Sequence, residues 1–170
     1  MDADLFDALN QEPWFANKSR NTFYACTNRK QPDGTFKQVK LHREIFKRRG
    51  IKVPRGYTID HKNRNGLHNH GNNLRLATRK QQTLNRRLGK HELVGVTRNR
   101  RLNKWIAQIC HEYKKIHLGV YSNKHRAAAA YDFVAKHIDP EFYLFNKTGI
   151  RLTKIERTKL LAIVAKHQLR

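Results

Sequence analysis

Two short strand-forming runs, Tyr57-Thr58-Ile59-Asp60-His61 and Leu74-Arg75-Leu76-Ala77, flank a loop that holds Asn63, Asn65, Gly66, Asn69, Gly71, Asn72 and Asn73. No other stretch restricts the fold as much. Asparagine side chains hydrogen-bond nearby backbone and glycine accepts turn conformations, so the loop is turn-rich rather than helical or disordered. Thr78 then stands as an N-cap before a helix expected to run to about Leu88. Thr78, Gln82 and Asn85 follow i, i+4, i+7 spacing and share one face of that helix. The order is strand, polar loop, strand, helix.

Upstream, Thr22–Thr27 and Thr35–Leu41 flank Pro32-Asp33-Gly34 and predict a hairpin. The first 16 residues read as an amphipathic helical segment with Leu5, Phe6, Leu9 and Phe15 on one face. His42–Arg49 is a short helix ended by Gly50, and Lys52-Val53-Pro54-Arg55-Gly56 is a loop because proline biases its neighbour away from helix. Gly89–Leu93 is a linker and the expected domain boundary. Beyond it, Val94–Arg98, Lys104–Cys110 and Lys115–Tyr121 read as three strands joined by basic turns. Ser122 or Asn123 caps a helix through Ala127–Ala130 to His137, which Pro140 keeps from extending far. Its four consecutive alanines make a thin face that can approach a sheet closely. Thr153 and Glu156 have capping-box spacing and open a last helix to about Leu169. The fold class is α+β.

The charge selects a partner. The chain carries 36 Lys+Arg against 13 Asp+Glu, formally +23. Asp2, Asp4, Asp7 and Glu12 fall in the first 16 residues, which contain no Lys or Arg, so that segment is suited to docking on the basic remainder. Such an excess points to a polyanion, of which nucleic acid is the usual one. No apolar run approaches the roughly 18 residues of a membrane span, so no membrane partner is expected. No charged start is followed by an apolar stretch, and an intracellular, non-secreted protein is expected. Cys26 and Cys110 are too few for a four-cysteine zinc site or a disulfide scaffold, and a reducing compartment is the simplest fit.

Asp60 and His61 are adjacent at the end of a strand, where neighbouring side chains point to opposite faces. They suit two roles in one cleft, the carboxylate toward a metal and the imidazole toward a water. Phosphodiester hydrolysis needs an activated water, charge neutralisation at the phosphate and help for the leaving 3′ oxygen. A histidine near pH 7 can take the proton, and an oxygen-bound divalent cation can stabilise the developing charge. An Asp-His pair alone is common in polar turns; the wider pattern distinguishes this one. His68-x-His70, without cysteine partners in an Asn-rich loop, suits solvent or phosphate contact better than zinc.

Leu41-His42-Arg43, Ile59-Asp60-His61 with Asn65-Gly66, and Asn73-Leu74-Arg75-Leu76-Ala77-Thr78 closely resemble the HNH endonucleases of the phage homing type, over about residues 20–88. The resemblance implies a ββα-metal finger at about 57–88 within a nuclease domain at 1–88. It implies Asp60 as a metal ligand, His61 as general base, and Asn73 as the residue that braces the loop and orients the imidazole. The second protein ligand of the family falls at Gln82, whose amide is one methylene longer than asparagine; Asn85, one turn on, is the alternative. The implied cofactor is a divalent metal, Mg²⁺ with Mn²⁺ as alternative, and no structural zinc. For a phage-encoded protein the location would be the cytoplasm of a bacterial host.

Residues 94–146 resemble the Apetala-type (ethylene-response-factor) DNA-binding domain, which also occurs fused to HNH nucleases. The matching residues are Gly95-Val96, Lys104-Trp105 with Ala107, His117-Leu118-Gly119-Val120-Tyr121, Ala127 to Tyr131-Asp132, and Asn146. That family lays a three-stranded antiparallel sheet, packed on a helix, in the major groove. The candidate contacts here are Arg98, Arg100, Arg101, Lys104, Gln108, Lys114, Lys115 and His117, with Thr97 and Trp105 beside them. Strand alternation groups Trp105, Ala107 and Ile109 as a core face, leaving Gln108 toward DNA. A C-terminal helix at 150–170 completes the chain. Together these readings describe a metal-dependent endonuclease of double-stranded DNA, a monomer or weak homodimer. The alternative is a non-catalytic DNA-binding regulator with a decayed finger, and an RNA-binding protein is weaker because no aromatic-rich recognition signature is present.

Overall fold

Asp33 closes the first hairpin by accepting the Thr35 backbone N–H at 2.9 Å on Oδ1, and Gly34 takes the left-handed conformation at φ +82°. The computed structural model describes residues 2–20, 22–85 and 93–169. It divides into two compact units, Met1–Asn85 and Arg86–Arg170.

In the first unit the hairpin strands β2 (Thr22–Lys30) and β3 (Phe36–Lys40) are joined by β1 (Phe15–Ser19) into an antiparallel sheet of order β1-β2-β3. The expected helix over the first 16 residues is shorter than its pattern suggested. A 3₁₀ turn at Ala3–Leu5 leads into α1 (Phe6–Asn10), and Phe15 is a strand residue paired with Cys26. Pro13 lacks the N–H a continuing helix would need, and β2 offers the following residues an edge to pair with. Glu12 and Asp2 of this segment do dock. Glu12 takes two N–H bonds from Arg29, at 2.9 and 2.7 Å, and Asp2 accepts from Arg49 at 2.6 Å and from the Gly71 backbone at 2.8 Å.

Helix α2 (Leu41–Arg48) buries Leu41, Ile45 and Phe46 against Leu9 and Leu74, with Ala25, Ile59 and Leu76 packed alongside. Each such side chain, fully buried, contributes about 1.5–3 kcal/mol. This core anchors the two-stranded ribbon of β4 (Tyr57–His61) and β5 (Leu74–Thr78), because Ile59, Leu74 and Leu76 belong to both. Thr78 caps α3 (Arg79–Leu84) through a reciprocal capping box with Gln81. The expected continuation to Leu88, and most of the Gly89–Leu93 linker, lie outside the described residues.

The second unit is an antiparallel sheet of β6 (Val96–Asn99), β7 (Lys104–His111) and β8 (Lys114–Tyr121), followed by α4 (Lys124–Ile138) and α5 (Lys154–Lys166). Ala127, Ala128, Ala129 and Ala130 are all buried, as are Ala107, Ile109, Ile116 and Leu118 of the sheet. Gly95, at φ +70°, leaves no room for a side chain: Tyr131 and the Gln108 carbonyl stand where its Cβ would be. Asn146 ties the residues just before β6 to α4, exchanging hydrogen bonds with the Val94 backbone at 2.6 and 3.1 Å while donating to Asp132.

Candidate active site

Asp60 and His61 are the last two residues of β4, and the ribbon register sets Asp60 opposite Arg75 and His61 opposite Leu74. On the Asp60 side, one oxygen collects two hydrogen bonds and a further ion-pair contact. Arg75 donates to Oδ2 through Nε at 3.0 Å and keeps Nη2 in ion-pair contact with it at 3.0 Å, and Asn85 donates through Nδ2 at 3.0 Å. Asn85 also donates to the His61 carbonyl at 3.0 Å and is buried, so the first residue past α3 is locked onto the end of β4. Gln82 is half-buried on α3 and takes no part in the bonds around Asp60 among the described residues.

His61 is 5% exposed, and its Nε2 lies 3.1 Å from Oδ1 of Asn69. Asn69 Nδ2 donates to the carbonyls of Gly66 and Leu67, at 3.3 and 3.1 Å. That commitment turns Oδ1 toward the ring. An oxygen can only accept, so Nε2 carries the proton and the lone pair sits on Nδ1. Burial lowers the imidazole's pKa below its ordinary value, against the pull of the Asn69 bond and the Asp60 charge. The ring is therefore neutral at pH 7, the form a proton acceptor needs.

Two aromatic neighbours brace it. His42, from α2, meets His61 edge to face with ring centroids 5.1 Å apart, and Tyr24, from β2, is 5.8 Å from His61. Burial drives the His42 pKa down to about 3, helped by the positive field of His61, Lys40 and Arg43. Lys40 caps the Tyr24 ring, its Nζ 4.4 Å from the centroid.

Asn73 builds the loop. Its Oδ1 accepts from the Asn63 backbone at 3.0 Å, and its Nδ2 donates to Asn63 Oδ1 at 3.0 Å and to the His68 carbonyl at 2.7 Å. It does not hold the imidazole, as the sequence pattern implied; Asn69 does, because Asn73 spends its amide on the opposite limb of the loop. His68 pairs with Asn63 at 2.7 Å and His70 with Asp2 at 2.9 Å. Among the described residues no group of three or more His, Cys, Asp or Glu side chains is arranged to hold a metal.

Residues 39–84 match an HNH endonuclease family. No curated protein matches the chain. The HNH segment covers α2, the β4–β5 ribbon and α3, and so contains His42, Asp60, His61, Asn69, Asn73, Arg75 and Gln82. The match supports nuclease activity on DNA. Asn85 follows the segment directly, and Tyr24 precedes it. In sequence Asn69 is one asparagine among five in the loop, and Arg75 is a strand residue. Asn69 carries no local sign of its role. Arg75 does: a charged residue inside an apolar strand run directly across from Asp60 is what a buried pair looks like once the register is known.

In the second unit α4 covers one face of the sheet, and the opposite face carries Thr97, Gln108, Lys115 and His117. Gln108 sits opposite His117 and donates to Thr97 Oγ1 at 3.2 Å. Lys104 has the same strand parity as Gln108's neighbour Ile106. Arg100 and Arg101 project from the β6–β7 turn, and Lys114 opens β8 opposite His111. Arg98 is directed elsewhere: its guanidinium lies 5.8 Å from the Trp105 ring centroid and donates to Asn103 at 2.9 Å. Trp105 itself is half-buried, while Ala107 and Ile109 of the same strand are fully covered.

Proposed function

We propose that this protein is a divalent-metal-dependent DNA endonuclease of the homing HNH type, in which β4, β5 and α3 form the ββα-metal finger. The observation that carries the reading is the pairing, within the HNH segment, of a buried neutral imidazole with a carboxylate that meets the helix-end amide just beyond it. His61 is the general base. With Nε2–H given to Asn69, Nδ1 takes the proton from a water attacking the scissile phosphate.

Asp60 and Asn85 would hold the cation. Oδ1 of Asp60 accepts no hydrogen bond among the described residues, and rotating the Asn85 amide by half a turn presents its oxygen beside that carboxylate. One anionic and one neutral oxygen suit a hard cation such as Mg²⁺, or Mn²⁺ in its place, which keeps several waters and takes substrate phosphate oxygens. Bound there, it would neutralise charge on the phosphate and on the leaving 3′ oxygen. Gln82, on the preceding turn, is the weaker candidate because its side chain is not engaged with Asp60.

The second unit is the Apetala-type module that holds duplex DNA. Gln108 and His117 on the open sheet face are placed to read bases, and Lys104, Lys114, Lys115, Arg100 and Arg101 to contact phosphates. Arg98 contributes charge while supporting the turn. The test is incubation of supercoiled plasmid with the protein in Mg²⁺ or in EDTA. Open-circle or linear product in Mg²⁺ alone is expected; intact plasmid in both would remove the enzymatic reading.

A further inference from the structure

The arrangement around Asp60 poses a question that the proposed metal site does not answer. Its carboxylate is already compensated. Arg75 is buried, sits directly across the ribbon, and places two N–H groups at 3.0 Å from Oδ2, with the Asn85 amide on the same oxygen. Asp60 and Arg75 together carry no net charge, and the chain around them is strongly basic at +23. A divalent cation approaching Oδ1 meets one negative charge with a fixed positive charge immediately behind it. A guanidinium cannot relieve this by losing its proton, since Arg stays charged at any working pH. In a partly buried setting such a repulsion is only weakly screened by salt.

We infer that Arg75 keeps the Asp60 site from holding a divalent cation in the free protein, so that the cation is held only when a DNA phosphate supplies the missing negative charge. The inference rests on the proposed metal site. It adds that cation and DNA bind cooperatively, and that Arg75 sets the coupling. By linkage the factor by which DNA strengthens cation binding equals the factor by which the cation strengthens DNA binding. A nuclease built this way carries no charged metal centre until a backbone is in place.

Mn²⁺ alone is the probe, its free concentration followed by electron paramagnetic resonance against the full-length chain. His61→Ala is the background, so that added duplex is not cut. Without DNA, no saturable site is expected below about 1 mM. With duplex present, and with the Mn²⁺ taken by an Asp60→Ala control subtracted, a site at least tenfold tighter is expected. Arg75→Met should bind Mn²⁺ without DNA at least tenfold more tightly than the parent, Arg75→Lys should resemble the parent, and Asp60→Asn should abolish the gain.

The comparison with and without DNA needs no Arg75 variant, so it decides the matter even if Arg75→Met does not fold. Equal Mn²⁺ affinity with and without DNA would overturn the inference. So would a folded Arg75→Met that binds no tighter than its parent while the DNA-dependent site is present, and the metal site itself would then stand. Absence of any Asp60-dependent Mn²⁺ binding, even with DNA, would instead overturn the metal site and the inference with it.

Discussion

Nε2 of His61 and Oδ1 of Asn69 lie 3.1 Å apart inside the loop that joins β4 to β5, and both residues are almost fully buried. The bond has a direction because Asn69 spends its Nδ2 on two loop carbonyls. A loop of polar residues thereby chooses the histidine tautomer, and with it the nitrogen left as proton acceptor.

His61→Ala is expected to lower cleavage by about 10²–10⁴-fold while leaving DNA affinity nearly unchanged, since only the proton acceptor is lost. Because burial lowers the His61 pKa, the acid limb of the wild-type rate profile should fall below the ordinary histidine range. Initial nicking rates from pH 5 to 8 check both. Wild-type rates in the variant at neutral pH would remove His61 from the mechanism.

Asn69→Ala should lower cleavage by about 10–100-fold, the usual cost of losing a residue that orients a functional histidine. Asn73→Ala should act through stability instead, because two of its bonds tie loop backbone, the third holds the Asn63 amide, and none reaches the ring. Cleavage rate and melting temperature, measured on the same samples, separate the two. A rate loss in Asn73→Ala with no loss of stability would contradict this division.

Asp60→Ala should abolish metal-dependent cleavage, and Asn85→Ala should damage it far more than Gln82→Ala. Of the two amides, Asn85 meets the Asp60 carboxylate, and Gln82 takes no part in the bonds around it among the described residues. Titrating Mg²⁺ against nicking rate in the three variants ranks the ligands. A larger shift in Gln82→Ala would show that α3 rearranges when the site is filled.

Acid should loosen the first unit. His42 has a folded-state pKa of about 3 against 6.5 for the free side chain, so the unfolded chain binds more protons between those values. Its neutral-state stability is complete above pH 6.5 and is lost as pH falls toward 3, in total roughly 3–5 kcal/mol at about 1.4 kcal/mol per pH unit. The lowered His61 pKa adds in the same direction. Urea unfolding between pH 7.5 and 4 should show this slope, and His42→Phe should flatten it. An unchanged slope in that variant would rule out His42 as the source.

Lys115→Ala in the full chain should weaken binding to all duplexes about equally and lower the slope of log K against log salt by about 0.9, the contribution of one phosphate. Gln108→Ala should instead relax preference at one or two base pairs. Titration of specific and scrambled duplexes at several salt concentrations distinguishes them. Equal loss of specificity in both variants would argue against separate roles.

The strand, loop, strand, helix order of the HNH segment, the three strands and alanine-rich helix of the second unit, and the caps at Thr78 and Thr153 were legible from residue type alone. Each is a local matter: period, turn chemistry and a hydroxyl at a helix start act within a few residues. The place of Asp60 and His61 at a strand end was legible for the same reason. Their partners were not. β1 exists because β2 offers an edge. Asn69 rather than Asn73 meets the imidazole because of how the loop folds back, and Asn85 rather than Gln82 meets Asp60 because of where α3 ends. His42 and Tyr24 brace His61 from 19 and 37 positions away along the chain. Such contacts depend on register and on the packing of a shared core, quantities set by the whole unit at once; the sequence determined which chemistry was available, and the tertiary structure decided which groups perform it.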